Sequence, residues 1–441
     1  MEKLVITGGK PLKGSVKISG SKNVALKALV AACLTDEEVV IENVPNISDF
    51  FIMAEILQDL GALVQITDHT IKITMRAFTG HKIPLEKAAQ VRTSAMFLSP
   101  LLARLGEAII PNPGGCRLGA RPIDRTIDGV KSLGVAISYH STDGYFYAKT
   151  EKLLGATYTF PKNTHTGTET VLLAAVLAQG TTILKNAAEE PEIDDLIELL
   201  SCMGANVYRS AKREITVVGV EKLHGTTFRI SPDRNEIVTF AIAAIITKGD
   251  ILVEGAKRKD LEAFLEKLEE AHAGFEEKEN GMRFFYKDEL QATDVTTHIY
   301  PGFMTDWQAP WAALMTQANG VSTIHETVFE NKMGYMHDLQ KMGAKVKAYK
   351  PEVKNPEELY NFNLADDKPE YVHAIQITGP TKLHNFVATT LDIRAGAAIV
   401  LAALAASGES TIFGLEKLDR GYENFEERLK KLGATIERVH E

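Results

Sequence analysis

The sequence predicts an α/β protein of two lobes, each holding three copies of one small βα unit, and three observations predict it. A helical pattern closing on an apolar residue, then Gly, then an alternating strand recurs six times, at Gly61 (LQDLGALV), Gly134 (VKSLGVAI), Gly204 (LSCMGANV), Gly274 (EEAHAGFE), Gly343 (LQKMGAKV) and Gly433 (LKKLGATI). The spacing is roughly 70 residues, stretched to about 90 for the last interval, too long for a solenoid repeat. Before each copy stands a second phrase, an Ala-rich helix followed by a turn and a short β-branched strand. Finally, the chain opens on an orphan strand, KLVITG, and ends on TIERV without a partner, so pairing the two completes the sixth unit.

The Ala-rich segments, such as ALKALVAACL, VLLAAVLAQG, TFAIAAIITKG and AIVLAALAASG, are apolar almost all round and are expected to be buried. The helices before each Gly carry one charged face, as in EERLKKLGA and DLEAFLEKLEEA, and are expected to face solvent. Gly after their last apolar turn suits a left-handed C-cap. EKLHGTTFRISPDRN reads as the crossing between lobes. The lobes are therefore residues 22–230, with repeats 1–3, and residues 1–21 plus 231–441, with repeats 4–6.

At 441 residues, with 45% hydrophobic and 24% charged residues, the composition excludes disordered, collagen-like and disulfide-scaffold classes. A net charge of -9 argues against nucleic acid and anionic lipid as partners, so an anionic ligand requires a local cluster of Lys and Arg. The three cysteines, Cys33, Cys116 and Cys202, lack zinc spacing and suit a reducing compartment. Met1 to Lys10 lacks a signal-peptide core, and the longest small-apolar run, Ala397 to Ala406, is too short to span a bilayer. The expectation is a cytoplasmic protein.

Polar residues collect where the Ala-rich helices begin: Lys22 and Asn23, Arg92, Thr168 and Glu169, Arg234 and Glu236, Asp306, then Asp392 and Arg394. Asp, Asn and Thr there can simply cap. Lys22, Arg92 and Arg394 oppose the helix dipole, and capping does not explain them. Several helix N-termini turned toward one interlobe cleft would make an anion site. Cys116 lies in PNPGGCRLGARPID, where Gly114, Gly115 and Gly119 argue for a turned loop and Arg117 and Arg121 favour a thiolate. An idle loop thiol is the alternative. Cys33 and Cys202 read as small hydrophobes on apolar helix faces. Asp306 in YPGFMTDWQAP and Asp392 in TTLDIRAGAA are either exposed caps or carboxylates able to take a proton from a hydroxyl. No Walker loop, dinucleotide fingerprint or histidine pair at metal spacing is present, so no cofactor or metal is expected.

The phrases GSKNVAL (20–26), GGCRLGARPID (114–124), YPGFMTDWQA (300–309), LDIRAGAA (391–398) and DRGYENFEERLKKLGA (419–434) together resemble the UDP-N-acetylglucosamine enolpyruvyl transferases of the EPSP synthase-like superfamily. The resemblance runs in order along essentially the whole chain. It implies a two-lobed inside-out α/β barrel of six βαβαββ units. It also implies transfer of the enolpyruvyl group of phosphoenolpyruvate to the 3-hydroxyl of UDP-N-acetylglucosamine, the first committed step of peptidoglycan precursor synthesis. By motif, Lys22, Arg121 and Arg420 would hold phosphoenolpyruvate, while Asn23, Arg92, Pro122, Ile123, Asp124, Lys162, Thr164, Asp306 and Lys332 would contact the nucleotide sugar or order the cleft. Asp306 would be the base, Cys116 the proton donor, and Asp392 and Arg394 would assist opposite the Cys loop. The two small molecules are the only partners implied, for a monomer or weak homo-oligomer.

The chain departs from the family pattern at four places. Lys332 stands for Arg, Met304 for Pro, THTGTET (164–170) for SVGATEN, and Arg125-Thr126 for Leu-His. Two alternatives therefore stand beside the main reading: transfer to another acceptor, of the shikimate 3-phosphate kind, or a non-catalytic UDP-sugar-binding regulator.

Overall fold

Each repeat builds one sheet, and the ends of the chain are shared between repeats as the orphan strand requires. The computed structural model describes residues 2–114, 120, 122–390 and 392–440. Glu2–Thr7 lies between Glu409–Phe413 and Thr435–His440, antiparallel to both, with Leu4 opposite Ile412 and Arg438. Five sheets have four strands, in each of which one short outer strand runs parallel to its neighbour, and the sheet of the second repeat has three among the described residues. There Lys82 supplies only an isolated parallel bridge to Ile109.

The chain divides into two units. The terminal unit takes the chain up to Ser19 and from Pro232 onward, with Ala120; the inserted unit takes Gly20 to Gly114 and Pro122 to Ser231. Two crossings of the chain mark the division. In the terminal unit the Asp233 amide donates to the Ser19 carbonyl at 2.9 Å, and in the inserted unit the Ser21 amide donates to the Ser231 carbonyl at 2.8 Å.

Six buried helices form the centres of the units: α1 (Lys22–Ala31), α2 (Leu98–Leu105) and α3 (His165–Ala175) in the inserted unit, and α4 (Arg234–Ile246), α5 (Gln308–Met315) and α6 (Ile393–Ala405) in the terminal unit. Every residue of α4 and α5 is buried, as is Arg394 through Leu404 of α6, because no face of these helices carries a run of charge. In the terminal unit these three helices pack on one another and each lies against strands of its own repeat. Helices are inside and sheets outside, the arrangement expected of an inside-out barrel.

Gly61, Gly134, Gly204, Gly343 and Gly433 take positive φ after their helices, as the C-cap reading requires. The fourth repeat differs. There His272 adopts the left-handed conformation, with φ 59°, and Gly274 opens the strand Gly274–Lys278. Glycine at 274 answers a different need, since a Cβ there would stand 2.3 Å from the Phe285 ring. Cys202 also departs from expectation: it ends the helix Pro191–Cys202 on an exposed face, whereas Cys33 is fully buried and burial pushes its thiol pKa well up.

A strained carboxylate sits at the inserted unit's crossing. Asp195 accepts from Ser231 Oγ at 3.1 Å, but burial, aided by Glu192 and Glu198, pushes its pKa up to about 6. A carboxyl with a folded pKa above its unfolded value binds protons more tightly in the fold, so its contribution falls as pH rises from 3.8 to about 6. Asp195→Asn is expected to be more stable than the parent by about 1–2 kcal/mol at pH 7 and indistinguishable near pH 4. Urea melts at the two pH values check this, and an equal effect at both would refute it.

Candidate functional site

In the inserted unit the first buried helix begins under a tight backbone constraint. A Cβ on Gly20 would lie 1.7 Å from the Asn43 carbonyl oxygen, so only glycine lets the chain pass there. Ser21 then caps α1, its Oγ accepting from the Val24 amide at 3.4 Å, which leaves Lys22 and Asn23 as the first helical residues. Lys22 is not consumed by capping. Its Nζ stands 2.7 Å from Asp49 Oδ2, and Asp49, at the head of the helix Ser48–Asp59, has a side chain only 3% exposed. Asp49 is a residue the sequence reading missed. Held by a buried carboxylate, the Lys22 ammonium is fixed in direction, as an anion-binding cation requires.

Arg92 lies in a 3₁₀ turn, Arg92–Phe97, ahead of α2 rather than on it, and its Nη2 donates to the Pro122 carbonyl at 3.3 Å. Ile123 stands at the N-cap position of the helix Asp124–Lys131 without a side-chain capping bond, and Asp124 is the first residue. Arg92, Pro122, Ile123 and Asp124 are thus brought together. At α3 the cap is Thr164, whose Oγ1 accepts from the Gly167 amide at 3.1 Å. Thr168 and Glu169 consequently lie inside the helix, not at its start. Arg125 Nη1 and the Asn163 carbonyl, 3.3 Å apart, tie the segment holding Lys162 and Thr164 to the Asp124 helix.

Glu169 is fully buried between Lys27, with Nζ at 3.3 Å, and the His165 ring, with Nε2 at 3.1 Å. Burial works against charge on His165, but Glu169 outweighs it and raises the imidazole pKa. The ions link α1 to α3 and so couple the helix bearing Lys22 to the THTGTET segment.

In the terminal unit the heads of the three buried helices meet. Asp233 caps α4, accepting from Asn235 and Glu236 amides at 2.8 and 3.2 Å. Glu236, a candidate by position, is structural: its two oxygens accept from Arg428 Nη1 and Nη2 at 2.7 and 2.9 Å. Asp392 caps α6 through bonds from the Arg394 and Ala395 amides, both 2.9 Å, as the capping reading allows. Arg394 is 7% exposed, stacks 5.1 Å from the Tyr422 ring centre, and keeps Nη1 buried without a hydrogen-bond partner among the described residues. Burial opposes its charge, yet Tyr422, Asp306 and Asp233 hold it firmly protonated. That donor is available to an anion. Arg420 follows Asp419, whose carboxylate is engaged by Arg438 at 2.7 and 3.0 Å.

Asp306 lies in the 3₁₀ turn Thr305–Trp307 that leads into α5, so it is not a cap. Trp307 anchors the turn, its indole N–H donating to Asn235 Oδ1 at 3.0 Å and its ring set edge-on to Phe303 and Phe264. The carboxylate is 31% exposed and accepts from Lys332 Nζ at 2.8 Å. Beneath it, Glu326 Oε2 accepts from Thr305 Oγ1 and Gln308 Nε2, both 2.8 Å, a network sequence reasoning did not find. Glu330 accepts from the Ala120 amide at 2.6 Å. Cys116, Arg117 and Arg121 lie outside the described residues. Among the described residues no group of three or more His, Cys, Asp or Glu side chains is placed to hold a metal ion, and no helix is long and apolar enough to cross a membrane.

Residues 6–429 match the family of EPSP synthase (3-phosphoshikimate 1-carboxyvinyltransferase). Among similar proteins, the UDP-N-acetylglucosamine 1-carboxyvinyltransferase of Acidobacterium capsulatum is 41% identical over 100% of this chain and 96% of its own. That of Lawsonia intracellularis is also 41% identical, over the full length of both chains. Among solved structures, the enolpyruvyl transferase NikO from Streptomyces tendae superposes with a TM-score of 0.86 at 23% identity over 99% of each chain. EPSP synthase from Acinetobacter baumannii does so with a TM-score of 0.73 at 20% identity over 100% of both. A shared fold, a match along nearly the whole chain and full-length relatives at this identity lead to one conclusion: the chain belongs to the EPSP synthase family of enolpyruvyl transferases, alongside the UDP-N-acetylglucosamine 1-carboxyvinyltransferases.

Proposed function

We propose that the protein transfers the enolpyruvyl group of phosphoenolpyruvate to the 3-hydroxyl of UDP-N-acetylglucosamine with release of phosphate, in peptidoglycan precursor synthesis in the cytoplasm. The observation that carries this reading is the identity of 41% to enzymes of that name along the entire chain. Cys116 delivers a proton to the methylene carbon of phosphoenolpyruvate, which builds positive character at C2. The sugar 3-oxygen gives its proton to Asp306 and bonds to C2, forming a phosphate-bearing ketal. Loss of a methyl proton and cleavage of the C2–O bond to phosphate then restore the double bond and release phosphate. Lys22, fixed by Asp49 at 2.7 Å, binds phosphoenolpyruvate together with Arg121 and Arg420. Arg394, with its buried Nη1 donor, supports the departing anion. Asn23, Arg92, Pro122, Ile123, Asp124, Lys162 and Thr164 contact the nucleotide sugar.

The test is phosphate release with phosphoenolpyruvate and a panel of acceptors. Release is expected with UDP-N-acetylglucosamine and not with shikimate 3-phosphate or with either substrate alone. The phosphonate epoxide fosfomycin, added with the UDP-sugar, is expected to raise the mass of the peptide containing Cys116 and to leave Cys33 unlabelled. No release with any acceptor would reject the function, and release with shikimate 3-phosphate only would reassign the acceptor.

A further inference from the structure

Lys332 is a buried cation with two of its three donors hydrogen-bonded within the protein. An ammonium has three N–H groups. One reaches Asp306 Oδ1 at 2.8 Å and another Thr305 Oγ1 at 3.0 Å, while the Phe329 ring covers the ammonium with its centre 4.9 Å away. The Lys332 side chain is 3% exposed and lies beneath a carboxylate that is 31% exposed. Glu326, itself 1% exposed, holds Thr305 in turn, so the ammonium is locked from below by a fully hydrogen-bonded network. A lysine placed this way has its ammonium turned into the protein and screened from a nucleotide phosphate by burial.

We propose that Lys332 is a positioning residue for Asp306 and not a contact to the acceptor: it binds Oδ1 and fixes the plane of the carboxylate. This rests on the reading of Asp306 as the base. Among the described residues, the charged groups bearing on Asp306 include Lys332 and Arg394, and those bearing on Lys332 include Asp306 and Glu326. A cation at this distance favours the ionised carboxylate, so Lys332 also keeps Asp306 ready to accept a proton at lower pH.

The test compares Lys332→Met, which keeps the stem and removes the charge, with Lys332→Arg. In the Met variant kcat is expected to fall about 10–100-fold while the KM for UDP-N-acetylglucosamine stays within about threefold. The acid limb of the kcat profile is expected to move to higher pH, and Arg is expected to restore the limb and most of kcat. A KM raised tenfold or more with kcat retained would overturn the proposal in favour of a ligand contact. An unmoved pH limb would reduce Lys332 to a structural role. If the Met variant fails to fold, Lys332→Arg decides alone, since a ligand contact predicts a changed KM, whereas a positioning role predicts KM, acid limb and most of kcat like the parent's. A wild-type protein that releases no phosphate rejects the proposed function instead, and calorimetric binding of UDP-N-acetylglucosamine to parent and variants still separates the two roles of Lys332.

Discussion

Asp306→Asn is expected to lower kcat by about 10²–10⁴-fold while the protein remains folded. The amide has the size of the carboxylate, so the anchored turn Thr305–Trp307 is undisturbed: its position depends on Trp307 bonding Asn235 at 3.0 Å and on the rings of Phe303 and Phe264. What changes is basicity, together with the negative charge that faces Lys332 and Arg394. The amide oxygen can still accept from Lys332, but it cannot take the proton that the acceptor hydroxyl must lose. Substrate binding is expected to weaken little, because the loss falls on the chemical step. Single-turnover phosphate release with both substrates at saturation is the measurement. A rate within threefold of the parent would remove Asp306 from the role of base and turn attention to Asp392, which the structure otherwise occupies as the cap of α6.

How much of this was legible in the sequence depended on whether a signal was local. The six-unit architecture was legible because buried helices and the glycines that follow the outer helices recur at intervals of roughly 70 to 90 residues, and the partner of the orphan strand followed from counting strands. The heads of the buried helices were legible as regions where polar residues gather. The roles within those regions were not. Thr164, not Thr168 or Glu169, is the cap of α3, since helix start positions are the least determined by pattern. Glu236 looked like a site residue but is taken by Arg428, 192 positions away. Asp49 is invisible from Lys22 because an outer helix brings it there, and nothing in SDFF distinguishes it from an ordinary acidic first turn.

Departures from the family pattern are likewise explained by packing more than by spacing. Lysine at 332 gives up the two-pronged geometry of arginine, yet here its bonds go to different partners, Asp306 and Thr305. In THTGTET, His165 and Glu169 sit one helical turn apart on α3, and the pair joins Lys27 of α1. A charged residue inside a buried helix is costly alone, and the triad supplies the compensation.

Glu326→Gln, a change of one atom, is expected to cost about 2–4 kcal/mol in the terminal unit. Four groups donate to this carboxylate: Thr305 Oγ1 and Gln308 Nε2 to Oε2, and the Val328 and Phe329 amides to Oε1 at 2.7 and 2.9 Å. Only a carboxylate has acceptors on both sides. Whichever way a glutamine is turned, its NH₂ faces two donors, and at 1% exposure water cannot intervene. Lys332 also loses an opposing charge. Glu326→Ala removes the acceptors altogether and is expected to cost about 3–5 kcal/mol, read as the shift in the urea midpoint of the terminal unit's transition. The pH dependence separates the charge from the hydrogen bonds. Burial raises the Glu326 pKa above 4.5, with Lys332 and the donors working against it. In the window above that value the fold holds the proton more tightly than the unfolded chain, so stability falls as pH rises through it. The Gln variant lacks that slope and is therefore expected to lie nearest the parent at pH 7 and above, where the parent carries the full cost of a buried charge, and furthest below it near pH 4. A deficit that grows with pH would mean that Glu326 is stabilised as an anion, against the direction burial imposes.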